Sequence, residues 1–436
     1  MWWTSSGDPS LRVPLRAALA SNFAPDGGLY CLLPEPWDDW DDLLETPWPD
    51  RGAEIVVRFA AGSIDEVAVR KAARAALDIP APLVPLGRDN FVFELFHGPS
   101  LAFKDFGARM LARLLPLVDD QTPSPRTILT ATSGDTGAAV VSAFLGVPGT
   151  RVVVLYPKGR VSGLQERQIA CMGGNTAALQ VAGTFDDCQA MIKAAFADAE
   201  LSQQLRLTSA NSIHVGRLIA QVTYFSEICA QLRRRGIRDR PVVAVPSGNF
   251  GHLCAGLYAK ALGAPLGQLV AATNRNRTVP DHLDGLGWQP RPSVATPSNA
   301  MDVGAPNNWP RIEALFRNDL PRLRSELRWG SADDETTLAT IANATQLGTV
   351  LDPHTAVALA VLARVQQPGE VGVTLATAHP AKFAGVVEPL IGRTLPLPEA
   401  LRTIATRTIP QRPLPRDPAA LLRWLRRHDV GTGARA

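Results

Sequence analysis

The 436-residue sequence predicts an α/β fold built on parallel sheets. Apolar runs of strand length stand at 126–131, 150–156, 241–245 and 370–376. Three of them run directly into a Gly- or Pro-bearing loop: Ser133-Gly134-Asp135-Thr136-Gly137, Ser247-Gly248-Asn249-Phe250-Gly251 and Ala378-His379-Pro380-Ala381-Lys382-Phe383. Helical patterns follow the first two, at about 138–145 and 252–262. Strands alternating with helices imply right-handed βαβ units and helix-covered parallel sheets. Ligands in such folds sit beyond the C-terminal ends of strands, and all three loops lie there.

Along the chain, residues 1–90 form a distinct N-terminal region. It holds a turn-rich, acidic, Trp-rich stretch from Pro34 to Arg51, then a helix over Ile64–Leu77. Next comes Phe96-His97-Gly98-Pro99-Ser100-Leu101-Ala102-Phe103-Lys104-Asp105-Phe106-Gly107, and the strand–loop–helix pattern begins at about 126. The 401–436 tail carries eight Arg and two Asp, about +6 by formal charge. Leu421, Leu422, Trp424 and Leu425 give the tail an apolar helical face, as for a terminal helix docked on the body.

Bulk composition narrows the function. Hydrophobic residues are 46% and charged residues 19%, which fits a folded globular protein with a large core. A net charge of +3 argues for no nucleic-acid partner. There is no apolar run of membrane-spanning length and no secretory signal pattern after Met1, so a cytoplasmic protein without a membrane partner is expected. Cys31, Cys171, Cys188, Cys229 and Cys254 show no CxxC spacing, so no metal site or disulfide framework is expected.

The chemistry centres on Lys104. Apolar and aromatic neighbours desolvate its amine, which lowers an ammonium pKa. Such a lysine can form a Schiff base with an aldehyde cofactor, although most lysines are solvated surface groups. The Ser247–Gly251 loop lies between a strand and a helix, where unpaired N–H groups and the helix dipole suit an anion. An ordinary strand-to-helix turn reads equally well. Asp135, at a helix start, suits either a ligand contact or a plain N-cap. Asn211-Ser212-Ile213-His214-Val215-Gly216-Arg217 places neutral donors near a charged fork that matches phosphate, provided that a helix starts near Ser212. A Ser/Asn cap with an outward Arg is the plainer reading. His354 and His379 are expected to be structural.

The lysine segment, from His97 to Gly107, resembles that of threonine synthase, an enzyme family that uses pyridoxal phosphate. The resemblance runs from Asp26-Gly27-Gly28-Leu29-Tyr30 to Ala378-His379-Pro380-Ala381-Lys382-Phe383. It implies a fold-type-II, tryptophan synthase β-like enzyme with two α/β domains and the cofactor between them. The larger domain would comprise 91–111 and 226–436, the smaller 112–225, with 1–90 packed against them. The implied reaction takes O-phospho-L-homoserine and water to L-threonine and phosphate, in a monomer or homodimer. A phospholyase, a hydroxy-amino-acid dehydratase and a non-catalytic phosphometabolite binder on the same scaffold are the alternatives.

By the same resemblance, Lys104 holds the cofactor and Gly248, Asn249, Phe250, Gly251 and His252 lie at its phosphate. Asp135 lies beside its ring and Thr377 at its pyridine nitrogen. Ser133 and Thr136 meet the amino-acid carboxylate, and Asn211, Ser212 and Arg217 the substrate phosphate. Lys382 is expected to be a bystander. Three positions depart from the family pattern: His252 for Asp, His214 for Asn, and Gly163 for Pro. A cationic His252 beside the cofactor phosphate is one consequence the resemblance suggests; a silent surface substitution is the other.

Overall fold

A computed structural model describes residues 1–119 and 125–427. Two parallel-rich sheets organise it. The six-stranded sheet runs Leu327–Ser331, Leu269–Thr273, Val242–Pro246, Gly372–Ala376, Asn90–Glu94 and Leu83–Pro85. Only its last pair is antiparallel. The five-stranded sheet runs Pro413–Leu414, Thr176–Val181, Thr150–Pro157, Arg126–Ala131 and Thr208–Ser209, all parallel. The central strands are buried along their whole length, so they read as continuous apolar runs rather than as alternating ones.

The N-terminal region adds a two-stranded antiparallel ribbon, Trp2–Ser5 with Tyr30–Leu33. Its helices pack their apolar faces on the body. Asp50–Ala60 buries Ile55, Val56 and Phe59, and Glu66–Leu77 buries Val69, Ala73 and Leu77. The former begins within the Pro34–Arg51 stretch that reads as turns, and a further helix, Trp40–Glu45, lies inside that stretch.

The expected domain limits differ from the architecture at two places. The helices Lys104–Val118 and Val215–Arg234 run unbroken through 111/112 and 225/226. Val215–Arg234 is buried nearly all round, and both helices contribute to the main core cluster, so neither marks a boundary. The tail also moves. Pro413–Leu414 extends the five-stranded sheet beside Thr176–Val181. The helix Pro418–Arg427 then buries Leu421 and Leu425 in the same cluster as Cys188, Met191 and Ile192. Residues 413–427 thus sit with the five-stranded sheet. Among the described residues, no helix is long and apolar enough to cross a membrane.

Candidate active site

The segment around Lys104 is fixed from both sides. Gly98 passes so close to Asp105 that a Cβ there would lie 2.4 Å from the carboxylate. Asp105 Oδ2 accepts from Ser100 N at 2.9 Å, which ties the Gly-Pro turn over the start of the helix. Burial raises the Asp105 carboxyl to about 6. Phe103 N donates to the Thr377 carbonyl at 2.9 Å, and His379 N donates to the Leu101 carbonyl at 3.0 Å. These bonds place Lys104, the first residue of its helix, beside the end of the central strand Gly372–Ala376.

The Lys104 amine has no hydrogen bond or ion pair among the described residues; its Nζ lies 5.9 Å from the Phe103 ring centroid. Desolvation lowers its amine to about 8, against the attraction of Asp135 and with the help of the Arg217 and Lys382 charges. The sequence-level expectation of an easily deprotonated amine agrees with this.

Asp135 opens the helix Asp135–Phe144 on the five-stranded sheet. The preceding loop is organised by Thr132, whose Oγ1 accepts from Gly134 N at 2.9 Å and Gly137 N at 2.8 Å. Gly134 has φ +142°, a conformation open to glycine, and a Cβ there would strike Gln165. Asp135 does not cap its helix. Its Oδ1 instead takes Lys382 Nζ at 2.6 Å and Gln165 Nε2 at 2.8 Å. Burial disfavours the carboxylate, but Lys382 and Lys104 outweigh it and hold Asp135 well below the usual carboxylate range. Ser133 and Thr136 flank it, half-buried, with hydroxyls bonded to none of the described residues.

The Ser247–Gly251 loop leaves the next strand and enters the helix Gly251–Ala261. A Cβ on Gly248 would lie 2.7 Å from Met301 Cα, so only glycine fits. Phe250 takes a left-handed conformation at φ +60° and sets its ring edge-on to Trp309 at 5.6 Å. Asn249 Oδ1 accepts from Asn307 N at 2.5 Å, and its Nδ2 donates to Ser212 Oγ at 2.8 Å. Asn308 Nδ2 donates to Ser212 Oγ at 3.2 Å and to the Asn249 carbonyl at 3.0 Å. Arg311, fully buried, donates to the Tyr30 carbonyl at 2.8 Å, to Asn308 Oδ1 at 2.6 Å and to the Ile213 carbonyl. Ser212 is thereby pinned against the loop.

The helix bearing Arg217 starts at Val215, later than the sequence suggests, because His214 is its cap: Nδ1 accepts from Gly216 N at 3.1 Å. Burial, with the nearby Arg126, Arg311 and Arg217 charges, lowers His214 to about 3, so it is neutral. Arg217 points inward and is 2% exposed. It donates to the Ala210 carbonyl at 2.7 Å, while its Nε and the neighbouring Asn211 Oδ1 are buried without protein partners. No carboxylate pairs with it among the described residues, and burial lowers it to about 10. A buried guanidinium in this state is costly and suits an anionic ligand.

His252 is turned away from the role expected of it. The residue lies in the first turn of its helix, but its side chain enters the interior. The ring stacks on Phe103 at 4.5 Å and 10° and meets Tyr224 and Phe225 edge-on at 5.5 and 5.9 Å. Both ring nitrogens are buried and unpartnered, and desolvation lowers its pKa to about 3. A cation beside a phosphate is thus replaced by a neutral ring packed beneath the residue before Lys104. His354, as expected, is structural: Nδ1 meets Asp352 Oδ1 at 2.7 Å and Nε2 accepts from Ala300 N at 3.2 Å. Through Ala300 it backs the turn against which Gly248 packs.

Lys382 is no bystander, since its amine is buried in the same cleft. Sequence reasoning also missed Gln165, Asn308 and Arg311. Of these, only Asn307-Asn308 ahead of Trp309-Pro310 carried a local signal, as a helix start with Pro near its first position.

The residues fit pyridoxal phosphate on structural grounds. Lys104 offers an amine without a competing bond, and the loop at Gly248 and the first-turn N–H groups of Gly251–Ala261 offer an anion cradle. Thr377 offers a neutral hydroxyl at the strand end. Comparison with known proteins agrees. The family model for pyridoxal-phosphate-dependent enzymes matches residues 77–377, and that for the threonine synthase C-terminal region matches 355–423. Threonine synthase from Serratia marcescens is 47% identical over 397 residues, covering 90% of this chain and 92% of that one. The Escherichia coli (strain K12) enzyme is 45% identical over 424 residues, covering 97% and 98%. The crystal structure of threonine synthase from Escherichia coli superposes with a TM-score of 0.92 at 44% identity, over 98% of this chain and all of that one. The pyridoxal-phosphate-bound threonine synthase from Brucella melitensis gives 0.88 at 31% identity, over 99% and 100%. The chain therefore belongs to the pyridoxal-phosphate-dependent enzymes and, within them, to the threonine synthases.

Proposed function

We propose that the protein converts O-phospho-L-homoserine and water to L-threonine and phosphate, in the cytoplasm, as a monomer or homodimer. The observation that carries the substrate is Arg217. It is a buried guanidinium without a carboxylate partner, close enough to Lys104 for its charge to lower the lysine pKa. A substrate phosphate supplies the missing anion, with Asn211 and Ser212 beside it. A hydroxy amino acid lacking phosphate would leave Arg217 uncompensated.

Pyridoxal phosphate, when bound, supplies the electron sink that makes protons on the substrate carbon skeleton removable. Lys104 would hold its aldehyde carbon, the Gly248–Gly251 loop its phosphate, Thr377 its ring nitrogen, and Asp135 would lie beside the ring. Thr377 is a neutral partner, so it does not force that nitrogen to be protonated. Ser133 and Thr136 would take the substrate carboxylate, which orients Cα and Cβ toward Lys104. The Lys104 amine, near pKa 8, is poised to accept and return protons at those carbons at neutral pH. Arg217 stabilises the charge that grows on the departing phosphate oxygen at Cγ. Water then adds at Cβ, and the burial of Arg217 and Asp135 keeps bulk solvent from the reacting carbons before that point.

The test is to incubate purified holoenzyme with O-phospho-L-homoserine and follow threonine and phosphate together. Equal amounts of the two are expected. Phosphate released with a keto acid would replace this reading by a phospholyase, and phosphate released with homoserine would replace it by a phosphatase.

A further inference from the structure

We propose that Lys382 is a positioning residue that keeps the Lys104 amine free by holding the carboxylate of Asp135. The inference rests on the assignment of Lys104 as the cofactor lysine.

Among the described residues, Asp135 is the carboxylate whose attraction opposes deprotonation of Lys104. Left alone in a buried cleft with an ammonium, it would form an ion pair and keep that amine protonated. The fold prevents this by providing a second amine. Lys382 stands in the turn after the strand Gly372–Ala376, and its Nζ reaches Asp135 Oδ1 at 2.6 Å across from the six-stranded to the five-stranded sheet. The Ser100 carbonyl accepts from the same Nζ at 2.7 Å, and Gln165 Nε2 shares Asp135 Oδ1 at 2.8 Å. Ser100 belongs to the turn that leads into Lys104, so one amine ties together the Lys104 turn and the Asp135 helix. The bonds Phe103 N to Thr377 O and His379 N to Leu101 O hold Lys382 in register with Lys104.

Other charges leave this arrangement intact. Arg217, from the Val215–Arg234 helix, and Lys382 both disfavour an ammonium at Lys104. His354 bears on Asp135 from the Pro353–Val365 helix, and its ring is committed to Asp352 and Ala300 N. Asp105, next to Lys104, turns to Ser100 N. His252 is a neutral ring under Phe103. The helix Leu15–Ala20 reaches the Lys104 helix at its far end, where Arg16 donates to the Leu117 carbonyl, and Glu66–Leu77 meets it through Arg109 on the Ala75 and Ala76 carbonyls.

Competitive acylation of the cofactor-free protein, read lysine by lysine by mass spectrometry across pH, measures the Lys104 midpoint. Lys382→Met removes a repelling charge and releases Asp135, so the midpoint should rise by about one pH unit or more. Lys382→Arg keeps the pair and should leave the midpoint in place. Capture of pyridoxal phosphate at pH 7, followed by its visible band, should slow about tenfold in Lys382→Met and not in Lys382→Arg. An unchanged Lys104 midpoint in Lys382→Met would overturn the proposal. A second pair of variants covers the case in which Lys382→Met does not fold. Asp135→Asn strands Lys382 as an unpaired charge and should lower the Lys104 midpoint. Asp135→Asn with Lys382→Met removes both charges and should bring it back up; equal midpoints in these two variants would also overturn the proposal. The acylation readout uses neither substrate nor cofactor, so its outcome is separate from that of the activity assay.

Discussion

His252→Phe should stabilise the protein, and by more at acidic pH than at neutral pH. In the native structure the imidazole sits 5% exposed among Phe103, Tyr224 and Phe225, with neither nitrogen bonded. A buried polar group without a partner costs about 1–3 kcal/mol, and a phenyl ring of nearly the same shape removes that cost. A second contribution depends on pH. Burial lowers His252 from 6.5 to about 3, so below pH 6.5 the unfolded chain binds a proton that the folded chain does not. Stability is therefore lost as pH falls from 6.5 toward 3, at about 1.4 kcal/mol per pH unit from this group. Phenylalanine abolishes the loss, which makes the advantage of the variant about 2 kcal/mol larger at pH 5 than at pH 7. His214 has the same kind of shift but is present in both proteins and cancels. Denaturant unfolding of both cofactor-free proteins at the two pH values measures the difference. An equal stability change at pH 5 and pH 7 would refute the reasoning, because it would mean that the ring is not held neutral by burial.

Three further outcomes are expected. Lys104→Ala should retain the fold but lose turnover and the visible band of the lysine-bound cofactor; in the wild type, the rate of cofactor capture should climb with pH and level off above about 8, since the neutral amine is the reactive form. Arg217→Ala should lower kcat/KM for O-phospho-L-homoserine roughly 10- to 100-fold, the worth of a charged hydrogen bond, while leaving the already poor use of homoserine nearly unchanged, as competition assays would show. Gly248→Ala places a methyl 2.7 Å from Met301 Cα, so backbone must shift; it should weaken pyridoxal phosphate binding, measured by spectroscopic titration, and lower the melting temperature of the cofactor-free protein.

The parts of the site that could be read from sequence are those built from contiguous residues. Lys104 was visible as a lysine among apolar and aromatic neighbours past a Gly-Pro turn. The Ser133–Gly137 and Ser247–Gly251 loops each lie where a strand gives way to a helix, and that switch is visible as a run of β-branched and small apolar residues ending at a glycine loop. Lys382, Gln165 and Arg311 escaped because their roles depend on partners far away in sequence: Asp135 is 247 positions from Lys382 by subtraction of their numbers, and Arg311 reaches Tyr30 across 281. His252 was placed in the correct turn but given the wrong direction. One residue into a helix, a side chain points either to the loop or to the core, and the surrounding aromatic residues that decide it come from the turn before the Lys104 helix and from the helix Val215–Arg234. The tail was read correctly as a docked amphipathic helix, yet its partner sheet was not evident. The two-residue strand Pro413–Leu414 that selects the five-stranded sheet has too short a pattern to signal anything.

The central claim is that phosphate leaves from carbon and that water then adds to carbon. Turnover of O-phospho-L-homoserine by the holoenzyme in ¹⁸O-enriched water, analysed by mass spectrometry, tests it most directly. The account predicts one ¹⁸O atom in the hydroxyl of the threonine formed and none in the phosphate. Label in the phosphate, with homoserine as the organic product, would show attack at phosphorus and contradict it.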